Sequence, residues 1–77
     1  MDQTLANVKL GQKVIVQGLK TSGLSSKLLE MGLYEGKEVE VIFTAPFGDP
    51  IAVDLGGYVL SLRLDEARLV EIQHMAV

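Results

Sequence analysis

Ile51-Ala52-Val53-Asp54-Leu55-Gly56-Gly57-Tyr58-Val59-Leu60-Ser61-Leu62 decides how this chain is read. Two runs rich in branched and aromatic residues flank Gly56-Gly57, the composition of a two-residue hairpin turn. Pairing around that turn sets Leu55 opposite Tyr58, Val53 opposite Leu60 and Ile51 opposite Leu62, all on one face. Ala52, Asp54, Val59, Ser61 and Arg63 fall on the other. A slip of one residue would turn the whole apolar set into water, so the pattern specifies its own register. Antiparallel β-structure with one buried face follows.

Working upstream, the loop Ala45-Pro46-Phe47-Gly48-Asp49-Pro50 is expected to be stiff, because Pro46 and Pro50 preset φ, with Gly48-Asp49 supplying turn chemistry. Before it, Val39–Thr44 alternates: Val39, Val41 and Phe43 share one face, while Glu38, Glu40, Ile42 and Thr44 share the other. A first strand is expected over Lys13–Gly18, bounded by glycines. Downstream, Leu64–Ala67 resembles a helical turn, and Arg68–Gln73 gives a last strand with Val70 and Ile72 on one face. The tail His74-Met75-Ala76-Val77 carries no cap or turn signal and is expected to fray.

One helix interrupts the strands. Leu24, Leu28 and Met31 fall at i, i+4 and i+7 and form an apolar stripe, and Ser25 is a candidate N-cap. Gly32 suits the left-handed C′ position, with Leu33 at C″ able to touch Leu28 at C3. Tyr34-Glu35-Gly36-Lys37 reads as a tight turn with Gly36 at its positive-φ position. A helix this short, below about 12 residues, is marginal in water and must lie on the sheet. The expected fold class is all-β with one short helix: a small SH3-like barrel of about five antiparallel strands.

Size and composition bound the function. The 77 residues make a single domain, residues 1–77 with a core over 5–73, and 48% of them are hydrophobic with two Phe, two Tyr and no Trp. No cysteine is available for a disulfide or a thiolate metal site. The start of the chain has no signal-peptide pattern, and no apolar run approaches the ~18 residues of a membrane span. A cytoplasmic location without membrane insertion is the expectation. The net charge is −3, and Lys9, Lys13, Lys20, Lys27, Lys37, Arg63 and Arg68 are scattered, so no basic stripe exists to neutralise phosphates. Nucleic acid is not an expected partner.

Taken in order, Gly11-x-x-Val14, Leu28-Leu29-Glu30-Met31-Gly32-Leu33-x-x-Gly36, Val39-x-Val41, Ala45-Pro46-x-Gly48-Asp49-Pro50-Ile51 and Leu60-x-Leu62-Arg63-x-x-x-Ala67 resemble the ferrous-iron transport protein A (FeoA) family. The resemblance covers roughly residues 5–73. It implies an SH3-like barrel, a cytoplasmic location and an accessory role beside the polytopic membrane GTPase that imports ferrous iron, and it implies no enzyme. Two positions depart from the family pattern. Ser26-Lys27 stands where members often carry paired arginines, and Glu35 where they often carry proline.

Candidate sites are few. His74, the sole histidine, reads as a solvated tail residue, and Asp65-Glu66 has no metal-ligand spacing. Asp49 reads as a turn former and Asp54 as a solvent-face strand residue. No nucleophile–base pair is visible, and the glycines lack the Gly-Lys-Ser/Thr ending of a phosphate loop. Catalytic, cofactor-binding and metal-ligating residues are all expected to be absent. A shallow groove between the helix and the Tyr34 or Phe47 loops is the expected docking surface, with Leu29, Leu33, Tyr34, Phe47 and Arg63 as partner-binding candidates. Gly32, Gly36, Pro46, Gly48, Pro50, Gly56 and Gly57 are assigned to turns. Alternatives are a metal-sensing regulatory domain for a divalent transition metal, and a module that self-associates weakly through exposed Ile42 and Val59.

Overall fold

The computed structural model describes residues 3–75. Five antiparallel strands, β1 (Lys13–Leu19), β2 (Glu38–Thr44), β3 (Ile51–Asp54), β4 (Val59–Leu62) and β5 (Val70–His74), form one sheet in the order β4-β3-β2-β1-β5. Two short helices, α1 (Ser25–Glu30) and α2 (Leu64–Ala67), follow β1 and β4, and one 3-10 turn over Leu5–Asn7 precedes β1. The expected hairpin register is observed, with Ile51 paired to Leu62, Val53 to Leu60 and Asp54 to Val59. The Leu55 amide donates to the Tyr58 carbonyl across the turn (3.0 Å).

The core follows from the period-two pattern. Val14 and Val16 of β1, Val39 and Val41 of β2, Ile51 and Val53 of β3, Leu62 of β4, and Val70 and Ile72 of β5 are buried, joined by Leu5, Leu28, Leu33, Leu55 and Ala67. Full burial of a Val or Leu side chain contributes about 1.5–3 kcal/mol, which lets a domain of this size hold together without a disulfide. Phe43 departs from expectation. The β2–β3 register shifts between Val41 and Phe43, and a bulge of this kind sends the following side chain to the opposite face. Phe43 is therefore exposed beside Ile42 instead of continuing the Val39–Val41 row.

The two ends of the sheet are treated differently. On β5, the Ile72 amide donates to the Gln3 carbonyl (2.9 Å), and Thr4 forms a bridge with Glu71. Thr4 and Asn7 also close the reciprocal cap that starts the 3-10 turn. That turn is one the strand-and-helix pattern did not anticipate. His74 is a correction: it pairs with Val14 in β5, and its Nε2 lies 2.7 Å from Gln3 Oε1, so the chain is ordered to that point. Ala76 and Val77 lie outside the described residues.

Candidate functional site

Helix α1 is held from both ends by backbone chemistry. At its C-terminus the Leu33 amide donates to Leu28 O (3.1 Å) and the Gly32 amide to Leu29 O (3.0 Å), the two bonds of a Schellman ending. Gly32 sits at φ +103°, and a Cβ there would collide with the Tyr58 hydroxyl. That hydroxyl donates to the Met31 carbonyl (2.9 Å), so β4's hairpin clamps the helix end. At the N-terminus the expected cap is corrected. Leu24 is the capping position and has no side-chain bond; Ser25 is the first helical residue. The Ser25 hydroxyl still serves the entry, accepting from the Ser22 amide (3.0 Å) and donating to the Lys20 carbonyl (2.8 Å).

Only one residue of the expected Leu24/Leu28/Met31 stripe is fully buried. Leu28 is, Met31 is half-buried against the core, and Leu24 is exposed. Leu33 is a second correction. It is 0% exposed, because the C″ position of the helix ending points it at the core beside Leu28, so it cannot line a surface. Leu29, by contrast, is 50% exposed.

Leu29 lines a groove of about 380 Å³ with Gly18, Leu19, Thr21, Ser22, Ser25 and Glu35. Its floor is the end of β1, one wall is α1, and the other is the Tyr34–Lys37 turn. That turn is pinned to β1 by Gly36 N–H to Val16 O (2.8 Å) and Val16 N–H to Lys37 O (2.9 Å). Gly36 at φ +92° and the Lys37 N–H to Tyr34 O bond (3.0 Å) give the expected tight turn. Tyr34, next to Glu35, is half exposed, with the Lys37 ammonium 5.8 Å from its ring centroid. The helix side of the expected groove is thus present, with Leu29 bringing apolar surface and Glu35 a carboxylate, while Tyr34 is exposed beside Glu35 in the sequence without lining the groove.

Phe47 and Arg63 do not line it. Phe47 is 97% exposed at the tip of the β2–β3 loop, where the Gly48 amide donates to Ala45 O (2.7 Å) around Pro46-Phe47. The Asp49–Pro50 bond in that loop is cis. Asp49 is used differently from the expected turn former: its Oδ1 accepts from the Leu64 amide (3.2 Å) and so ties the loop to the start of α2. Arg63 stands at that same start, its amide donating to Glu66 Oε1 (3.0 Å). Lys27 reaches Glu66 Oε2 (3.4 Å) and links α1 to α2 across the surface. Asp54 Oδ1 accepts from the Gly56 amide (2.8 Å) at the hairpin turn. Among the described residues, no group of three His, Cys, Asp or Glu side chains could hold a metal ion, and no helix is long and apolar enough to cross a membrane.

A five-stranded antiparallel sheet with two short helices and a groove beside α1 defines a small SH3-like β domain. The model of the FeoA domain matches residues 3–74, and the chain belongs to the FeoA family. A protein of Porphyromonas gingivalis described as a fusion of Fe(2+) transport protein A with Fe(2+) transporter FeoB is 30% identical over 70 residues. That match takes in 90% of this chain and 8% of the fusion, so the chain spans under a tenth of its relative's length. The solution structure of a FeoA-like protein from Clostridium acetobutylicum superposes with a TM-score of 0.90 at 35% identity, covering 99% of this chain and 90% of that one. The crystal structure of Stenotrophomonas maltophilia FeoA complexed with zinc, described as a prokaryotic SH3 domain protein, matches with a TM-score of 0.82 at 26% identity, over 92% and 89% of the two chains.

Proposed function

We propose that this protein is a non-catalytic accessory subunit of ferrous-iron uptake that docks on the cytoplasmic part of a membrane GTPase transporter and modulates it. The observation that carries the proposal is the Porphyromonas fusion, in which such a domain and a ferrous-iron transporter share one polypeptide. Covalent joining raises the effective concentration of one module at the other, a gain only where the two engage each other. The groove beside α1 supplies a surface of matching kind: apolar at Leu29 and rimmed by a carboxylate at Glu35, with the exposed Tyr34 next to Glu35 in sequence. Phe47, on the loop that Asp49 ties to the start of α2, and Arg63, at the N-cap of α2, offer contacts outside the groove. The location that goes with this role is the cytoplasm.

The experiment is a titration of isotope-labelled protein with the transporter's soluble cytoplasmic portion, in the nucleotide-free, GDP and GTP-analogue states. Shifts concentrated at Ser25, Leu29, Tyr34 and Glu35 are expected in at least one state; an unchanged spectrum in all three refutes the proposal.

A metal-sensing role draws on the zinc in the Stenotrophomonas protein. Calorimetry of this chain with ferrous iron and with zinc separates that role from docking, because docking alone predicts no heat of metal binding.

A further inference from the structure

The sheet has two end strands, and among the described residues only one of them receives backbone pairing along its outer side. β5 carries Gln3 and Thr4 along its outer side. β4 is the other end of the strand order. Leu55 and Tyr58 form a hydrogen-bonded pair at the hairpin turn, and such pairs alternate with non-bonded ones along an antiparallel ladder. Leu60 and Leu62 therefore also direct their amides to β3, while Val59 and Ser61 turn their N–H and C=O groups away from the sheet. No hydrogen bond among the described residues outside the β3–β4 ladder receives them.

Edge strands are ordinarily blunted by shortness, lysine, proline, a bulge or an inward charge. β4 is short, but its four residues, Val59, Leu60, Ser61 and Leu62, include no lysine, proline or charge, and its pairing with β3 runs without a register shift. The bulges of this sheet lie in the β1–β5 and β2–β3 pairings instead. Val59, 55% exposed, and Ser61 stand on the outer face of the edge, while Leu60 is half-buried on the inner one.

Arg63 follows at the far end of this edge, and the charge beside its Val59 end selects an occupant. Running inward from Val59, its partner Asp54 faces Glu40, and Glu40 faces Lys13. With Glu38, these side chains line a cleft of about 120 Å³ in which three carboxylates meet one ammonium. A second copy of the chain would bring the same acidic row and a net charge of −3 to its twin. A basic segment brings the opposite sign.

We infer that the free edge of β4 is a strand-addition site for an extended polypeptide segment of alternating apolar and basic residues. The segment's backbone pairs with the outward amides and carbonyls of Val59 and Ser61. Its apolar side chains lie beside Leu60 on the inner face. Its lysines or arginines lie along Val59 on the outer face and reach towards Asp54 and Glu40. Adjacent strands are about 4.8 Å apart, so Asp54 is about 10 Å from the added backbone, within the combined reach of a long cationic side chain and a carboxylate. This site is separate from the groove at Leu29 and does not require that groove to bind anything.

The test uses the whole labelled protein with a capped eight-residue peptide alternating lysine and valine, and its glutamate–valine counterpart. The basic peptide is expected to shift Val59 and Ser61 and, at about ten times its Kd, to slow their amide exchange about tenfold. The acidic peptide should leave both unchanged. Ser61→Pro removes an outward donor that β3 does not use, a position edge strands tolerate, and should abolish the effect with the fold intact by spectrum. Leu29→Glu in the groove should not alter it. Raising salt should weaken the basic peptide's binding, and Glu40→Gln should weaken it at low salt. Absence of the effect, shifts centred on Leu29 and Glu35 instead, or equal binding of the acidic peptide each overturn the inference. So does a peptide-free dimer that Ser61→Pro dissolves, since the edge would then be covered by a second copy.

Discussion

The two sides of the segment from Ser25 to Lys37 have opposite jobs. Inward, Leu28 and Leu33 are fully buried and Gly32 lies against the Tyr58 hydroxyl, so this side attaches the helix to the barrel. Outward, Leu29 and Tyr34 are half exposed, and Leu29 lines the groove. Neighbouring leucines in the sequence thus differ in what they do: Leu28 secures position and Leu29 offers surface. A six-residue helix cannot stand alone, so the inner side must be over-determined for the outer one to be presented in a fixed place.

The contrast breaks most readily on the inner side. Leu28→Ala and Leu33→Ala should each cost about 2–5 kcal/mol, the range for truncating a fully buried leucine. Chemical denaturation, read as a lower midpoint with unchanged slope, checks this; a loss below 1 kcal/mol for Leu33 would return it to the surface. Gly32→Val comes next, at about 2–4 kcal/mol, because a left-handed backbone and the Tyr58 contact are both violated. Gly36→Ala is the matched control, with positive φ but nothing within 4 Å of the added carbon, and should cost about 1 kcal/mol. Tyr58→Phe, which removes the hydroxyl bond to Met31 O and leaves the ring, should cost about 1 kcal/mol or slightly less. Leu29→Ala is the smallest, within about 0.5 kcal/mol of the parent protein. Thermal melts resolve the series, since 1 kcal/mol shifts Tm by about 4–8 °C in a domain of this size.

Much of this was legible in the sequence where one local pattern settled the outcome. The hairpin from Ile51 to Leu62 has the register its alternation demands, because a Gly-Gly turn leaves little choice once one face must be apolar. The helix ending at Gly32 was legible for the same reason. What the sequence hid depended on partners far along the chain. The bulge after Val41 re-aims Phe43, and its only trace was Ile42, an apolar residue on an otherwise polar face. Asp49 bonds an amide 15 residues away, and the order at His74 is set by Gln3 from the other end of the chain. Neither has a local signature. Of the candidate docking residues, Leu33 was misplaced although its C″ position already assigned it to the core. Phe47 and Arg63 were grouped with Leu29 and Tyr34 only because exposure alone carries no information about distance.

The central claim, that the outer side of this segment holds a transporter while the inner side holds the fold, is tested most directly by Leu29→Glu. Its affinity for the transporter's cytoplasmic portion, measured by calorimetry alongside a melt of the same sample, should fall about tenfold or more, a change of ~1.4 kcal/mol, while Tm stays within about 2 °C of the parent. An undiminished affinity at unchanged Tm would contradict it.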